Sequence, residues 1–182
     1  MRRLVFSLLG IGAAAAAVAV AIVPAGSALA AGTGSTTTTF TISTGTLSIS
    51  VPATANMGTV ASGSTHVSSL LGDVQVTDLR AALAGSWTTT VSSTNFVTGT
   101  GTGPETVPNS DVTYDPGDVV ASSGTGTFTP GTPGTLGTPI TAFSATSEVG
   151  DTVVTWDPQI TIQIPAGAVN GTYTGTITHS VA

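Results

Sequence analysis

The sequence predicts an all-β fold, an antiparallel β-sandwich with long Gly/Thr/Pro-rich loops. Three observations predict it. Apolar residues recur with period two along most of the chain, which puts one strand face on a core and one in water. Thr supplies 36 of 182 residues, and its β-branch suits a pleated surface while its hydroxyl keeps the outer face wet. Gly, Pro, Asn and Asp fall between the alternating runs, as turns between short strands require. No stretch beyond residue 30 keeps a helical period.

The first 30 residues read as an address. Met1-Arg2-Arg3 is positive, an apolar run follows from Leu4 to Val23, and Ala28-Leu29-Ala30 is a small-x-small cleavage pattern. Residues 1–30 are therefore expected to be a secretory signal peptide cut after Ala30. An uncleaved anchor is the alternative, because the run is nearly long enough to span a bilayer. Residues 31–38 are Gly, Ser and Thr apart from Ala31, and read as a flexible lead-in. The β domain is expected over 39–182, with no later membrane span.

Within that domain each strand has its own signal. Phe40 and Ile42 alternate with Thr, and Leu47, Ile49 and Val51 with Ser. Val74 and Val76 flank Gln75. Trp87, Thr89 and Val91 share a parity, as do Val153 and Thr155. Ile160, Ile162 and Ile164 form the clearest run, and Tyr173, Gly175, Ile177 and His179 close the series. Ala81 to Ala84 reads as one short turn. Asp115-Pro116-Gly117 reads as a turn and Asn170-Gly171 as a hairpin. Gly99 to Gly137 has few apolar residues and is expected to be loops or an irregular insertion, tied to the core by Tyr114 and Phe128. The stretches Leu47 to Ala55 and Ile160 to Ala168 echo each other, each an alternating strand ended by Pro, and are expected to leave the sandwich in the same way.

Composition excludes whole classes of function. The chain has no Cys and no Lys, and Arg80 is its only cation beyond the leader besides two histidines. Disulfide scaffolds and thiolate zinc sites are excluded. Schiff-base and P-loop chemistry are excluded too. Residues 31–182 carry one arginine against nine acids, a net charge of −8, so nucleic acid, which is bound by cations, is not a partner. Attraction to anionic wall polymers is disfavoured for the same reason.

Catalysis has little to stand on. No G-x-S-x-G elbow exists. Glu105 and Glu148 are expected in loops, with nothing to tune them as an acid–base pair. Asp111, Asp115 and Asp118 are the one weak calcium candidate, against the simpler reading of solvated acids in a turn-rich loop. No cofactor is expected. Binding residues, if any, are aromatic: Trp87, Trp156 and Tyr173 can stack on sugar rings. Trp87 shares parity with Val91, which favours burial. Trp156, before Asp157-Pro158, is the better candidate for exposure.

Tyr173-Thr174-Gly175-Thr176-Ile177-Thr178 resembles the Y-x-x-x-[LIV]-T opening of the proximal motif of WxL-domain proteins, secreted surface proteins of Gram-positive bacteria. The resemblance implies a Thr-rich β domain from about Thr46 to the C-terminus and noncovalent attachment to the cell wall, to peptidoglycan or to partner surface proteins. It carries Tyr173, Ile177, Thr178 and Trp87 over. It departs at His179-Ser180-Val181, where the family has Trp-x-Leu, and at Thr89, where it has Leu. His179 thereby joins Trp87, Trp156 and Tyr173 as a binding candidate. The chain is thus expected to be an exported, non-catalytic, surface-associated binding protein, its retention noncovalent because Thr178 to Ala182 form no sorting signal. The alternative is a self-assembling subunit of a surface layer or fibre, since few charges guard its strand edges.

Overall fold

A computed structural model describes residues 34–182; the predicted signal peptide and residues 31–33 lie outside the described residues. The chain divides into a unit ending at Phe40 and a body from Thr41 to Ala182. Residues 34–40 of the first unit are exposed and without regular structure. The body is all-β. Eleven strands and two short 3-10 turns account for its regular structure, and among the described residues no helix is long and apolar enough to cross a membrane.

The strands are β1 (Leu47–Ser50), β2 (His66–Leu70), β3 (Val74–Ser93), β4 (Phe96–Val97), β5 (Thr106–Val107), β6 (Val112–Asp115), β7 (Val119–Pro130), β8 (Gly134–Thr135), β9 (Ile140–Trp156), β10 (Gln159–Gln163) and β11 (Ile177–Val181). One antiparallel sheet runs β1-β3-β9-β7, with β11 also paired to β3. A second runs β2-β10-β6-β8, and β4-β5 is a small ribbon. β1 and β11 share one edge of β3, taking Gln75–Asp78 and Thr89–Ser93 respectively.

The alternation read in the sequence decides what is buried. Val74, Val76, Trp87, Val91, Phe143, Val154 and Trp156 of the first sheet join Val112, Tyr114, Ile160 and Ile162 of the second in one apolar cluster. The two sheets therefore close on each other in a sandwich-like arrangement. Their contact is polar at one point. The Trp156 indole N–H donates to the Tyr114 hydroxyl (2.9 Å), and that hydroxyl is 3.0 Å from His179 Nε2. Tyr114 belongs to the second sheet, and Trp156 and His179 to the first. Phe143 stacks on Trp156, their ring centroids 4.7 Å apart.

Several sequence expectations are corrected. Phe40 and Ile42 alternate like a strand, yet they are 87% and 72% exposed and unpaired; pattern alone cannot supply a neighbour. Ala81 to Ala84 is no turn but part of β3. Ala81 and Ala84 adopt φ of 50° and 61°, where the β3–β9 register slips between Asp78 and Ala82 and again before Gly85. β7 is bulged at the same level, around Ser123 to Thr127. There Gly124 has φ of 86° and runs so close to the Asp151 carbonyl that no Cβ would fit. Gly99 to Gly137 is mostly ordered strand, including all of β6 and β7, because Thr and Ser pair as well as apolar residues do in a sheet. Tyr114 does tie it to the core, but so do the buried Val107, Val112 and Leu136, which the sequence reading did not name, while Phe128 is only partly buried against it. Asn170-Gly171 is not a hairpin, since β10 and β11 lie in different sheets. The echoing strands β1 and β10 also fall in different sheets. Asp115-Pro116-Gly117 does turn: Gly117 N–H donates to Asp115 Oδ1 (3.0 Å) and carries the chain from one sheet to the other.

Tyr114→Phe keeps the ring and removes the shared hydroxyl, leaving a buried indole N–H and a buried imidazole nitrogen unpaired. The expected loss is about 2–3 kcal/mol of unfolding free energy, read from denaturant midpoints; an unchanged midpoint would show that the hydroxyl holds nothing.

Candidate functional site

The four aromatic candidates do not form one exposed face. Trp156 is 0% exposed, against expectation, because its indole N–H reaches Tyr114 in the opposite sheet. Trp87 is buried as its parity implied, and its indole N–H donates to Glu148 Oε1 (2.9 Å). His179 is buried edge-on to the Tyr114 ring, centroids 5.5 Å apart. Burial pushes its pKa down to about 4, and burial also raises that of the Tyr114 phenol. The hydrogen bonds assign the tautomer. With Tyr114 accepting from Trp156, its O–H donates to His179 Nε2, so the proton sits on Nδ1, which has no partner. The other tautomer would strand two groups instead of one.

Under the bulges lies a second polar cluster that the sequence reading missed. Glu148 is not in a loop but in β9, almost fully buried, accepting from Trp87 and from the Thr152 hydroxyl; its other oxygen has no partner. Nearby, Asp78 is buried and held in a fork by Arg80, whose Nε and Nη2 donate at 2.9 and 2.6 Å. Arg80 N–H also donates to Asp78 Oδ1, and Arg80 Nη2 to the Ser86 carbonyl. The Arg80 hydrogen bonds hold Asp78 below its ordinary pKa, against burial, and Asp78 in turn raises that of Arg80. The Asp78-x-Arg80 spacing, two residues apart on a strand, was the available signal. The cluster's carboxylates are committed to Arg80, Trp87 and Thr152, which suits it to pin the bulge.

Glu105 is likewise a fastener. Its carboxylate accepts from the backbone and hydroxyls of Thr102 and Thr100, and those bonds, Thr102 first, lower its pKa to about 2. Asp111, Asp115 and Asp118 are not brought together: β6 separates the first two, and Asp115 is used on Gly117. Among the described residues no group of three such side chains could hold a metal ion.

Tyr173 alone of the four reaches an open site. It lines a cleft of about 1070 Å³ between the Ala55–Thr65 loop and residues 164–175. Met57, Val67, Phe96, Val107 and Ile162 make its apolar side, and Ser, Thr and Asn from both loops make its polar side. Tyr173 fixes one lip: its hydroxyl accepts from Val169 N–H (3.1 Å) and lies 2.9 and 3.0 Å from the Val169 and Pro104 carbonyls. No Asp, Glu, Arg or His lines the cleft. The cleft can hold an uncharged ligand by apolar contact and hydroxyl or amide hydrogen bonds. Sequence reading found Tyr173 and missed the rest, because the loop from 55 to 65 carries no aromatic or charged marker. No family model, curated protein or solved structure matches the chain.

Two outcomes follow from the buried groups. His179 has its pKa lowered in the fold from 6.5 to about 4, so the unfolded chain binds the proton more readily. Its stability contribution is complete above pH 6.5 and is lost as pH falls toward 4, a loss of about 3 kcal/mol. His179→Gln should flatten that slope in denaturation curves taken across this range; an equal slope in the variant would contradict the assignment. Arg80→Met strands the buried Asp78 carboxylate. Because the arginine is 36% exposed, the cost should be about 2 kcal/mol, below that of a fully buried pair. A midpoint unchanged at neutral pH would show that water already serves Asp78.

Proposed function

We propose that the chain is an exported, non-catalytic binding module that works at the cell surface, and that its cleft grips an uncharged stretch of a wall glycan or of a partner surface protein. The observation that carries this reading is the cleft between residues 55–65 and 164–175, large, two-sided and without a charged side chain. Tyr173 orders the lip and the Phe96 side supplies apolar area, while hydroxyls and amides on the loops can meet sugar hydroxyls or peptide groups. The secretory leader expected from the sequence supports export as part of this reading. The Tyr173 to Thr178 resemblance to WxL domains supports wall association as the setting. The Trp-x-Leu position of that family is here the buried His179, so on this reading grip comes from the cleft and not from a C-terminal tryptophan.

The test is sedimentation of the protein with purified cell walls, followed by titration with neutral wall glycan fragments. Val169 is 43% exposed on the cleft lip, so Val169→Asp should leave the fold intact, put a charge where none exists, and weaken retention by about tenfold, equivalent to ~1.4 kcal/mol. Retention unchanged by Val169→Asp would remove the cleft from the account. Wild-type protein left wholly in the supernatant would remove wall binding.

A further inference from the structure

Two features of the molecule are unused by the cleft and are complementary to each other. The first is an arm. Residues 36–44, Thr-Thr-Thr-Thr-Phe-Thr-Ile-Ser-Thr, hold no charge, Gly or Pro and alternate as a strand does. Phe40 and Ile42 share one face of that pattern and stand 87% and 72% exposed, with no strand beside them. The second is an edge. β7 pairs only with β9, so along its regular stretches, Ala121–Ser123 and Thr127–Pro130, every second backbone N–H and C=O faces outward, with a bulge between them. Its twelve residues are uncharged and nearly all exposed, with Val120 61% exposed.

The other edges are short or guarded. β2 has five residues and β8 two. The gap on β3 between its partners β1 and β11 is crossed by Arg80, whose guanidinium caps the Ser86 carbonyl. Natural sheets protect edges with charge, proline or bulges; β7 has no charge, its sole proline is its last residue, and its bulge leaves a regular stretch on either side.

We propose that the arm of one copy adds to the β7 edge of another as an extra strand, so that the chain assembles head to tail. An arm of nine residues spans about 30 Å extended, long enough to reach the regular stretches of β7 on both sides of its bulge. The connectivity favours a second copy over the arm's own body. The arm leaves the sheet at Gly45, bonded to Leu79, on the β1 side. β7 is the opposite edge, three strand spacings or about 14 Å across, and crossing that face would consume about half the arm. Donor at one edge and acceptor at the other make a heterologous contact, which propagates as an open chain of copies unless it closes into a ring. On docking, Phe40 and Ile42 fall on one side of the acceptor sheet and widen its apolar face beyond Val119 or Phe128, while the backbone groups of β7 gain partners.

The absence of cysteine makes the test clean. Ile42→Cys is paired with Ala121→Cys, Ser123→Cys, Thr127→Cys or Thr129→Cys in otherwise full-length protein purified as secreted, with diamide as oxidant. Mixed single-cysteine variants should give disulfide-linked heterodimers for at least one β7 position, and the double variant a ladder of multimers. Phe40→Asp with Ile42→Asp, carried with the double cysteines, should lose the ladder while the circular dichroism stays unchanged. A cross-link confined within one molecule, or none at any position together with monomeric sedimentation at high concentration, would overturn the proposal. Neither arm nor β7 lines the cleft, so a loss of wall binding by Val169→Asp and a loss of the ladder read out separately.

Discussion

At the Tyr114 hydroxyl the strands of the two sheets meet through buried polar side chains. The hydroxyl accepts from Trp156 and faces His179 Nε2, both buried. Inside a core, a hydrogen bond not made costs more than one made contributes, because the stranded group cannot return to water. The three side chains therefore constrain one another: β6 must sit over β9 and β11 in one register, or three polar groups are left unpaired. The same burial keeps His179 neutral. It also explains why an aromatic chain of Phe143, Trp156, Tyr114 and His179 is packed inward, where a glycan could never reach it.

The molecule handles its scarcity of charge in a consistent way. Threonine and serine hydroxyls wet the surface, and several of the few carboxylates accept hydrogen bonds within the fold. Asp78 fastens Arg80 across a bulge, Glu148 receives Trp87 and Thr152, Glu105 gathers a Thr-rich turn, and Asp115 closes the step between sheets. Alanines at positive φ in β3 and the tight glycine in β7 lie at one level of the first sheet. The Asp78–Arg80 pair and Glu148 lie beneath that line and hold its bent backbone in place.

Much of this was legible in the sequence. Period two along Ile160 to Ile162, Val74 to Val76 and Leu47 to Ile49 located strands and their inward faces, and the threonine content indicated how their outer faces meet water; Val51 and Ile164, which continue two of these runs, lie outside the strands. What failed, failed for want of long-range partners. Trp156 looked exposed beside Asp157-Pro158, since nothing local reveals a tyrosine 42 residues away. Glu148 looked like a loop acid until Trp87, 61 residues off, turned out to be its donor. Phe40 and Ile42 carried a correct strand pattern with no strand to join. The cleft was nearly silent: Tyr173 pointed to it, but its opposite wall is a loop of Ala, Gly, Ser and Thr whose position depends on β2 pairing with β10.

The structure thus separates a closed interior from two outward features, an uncharged cleft and a long strand edge, and that interior carries both. Imidazole ¹⁵N NMR of His179 examines that interior most directly. A neutral ring protonated at Nδ1, with Nε2 accepting and no titration down to pH 5, is the result required by a hydroxyl shared between the sheets. A ring protonated at Nε2 would show that the Tyr114 hydroxyl does not donate to it, and one that titrates near 6.5 would show that His179 is not buried against Tyr114.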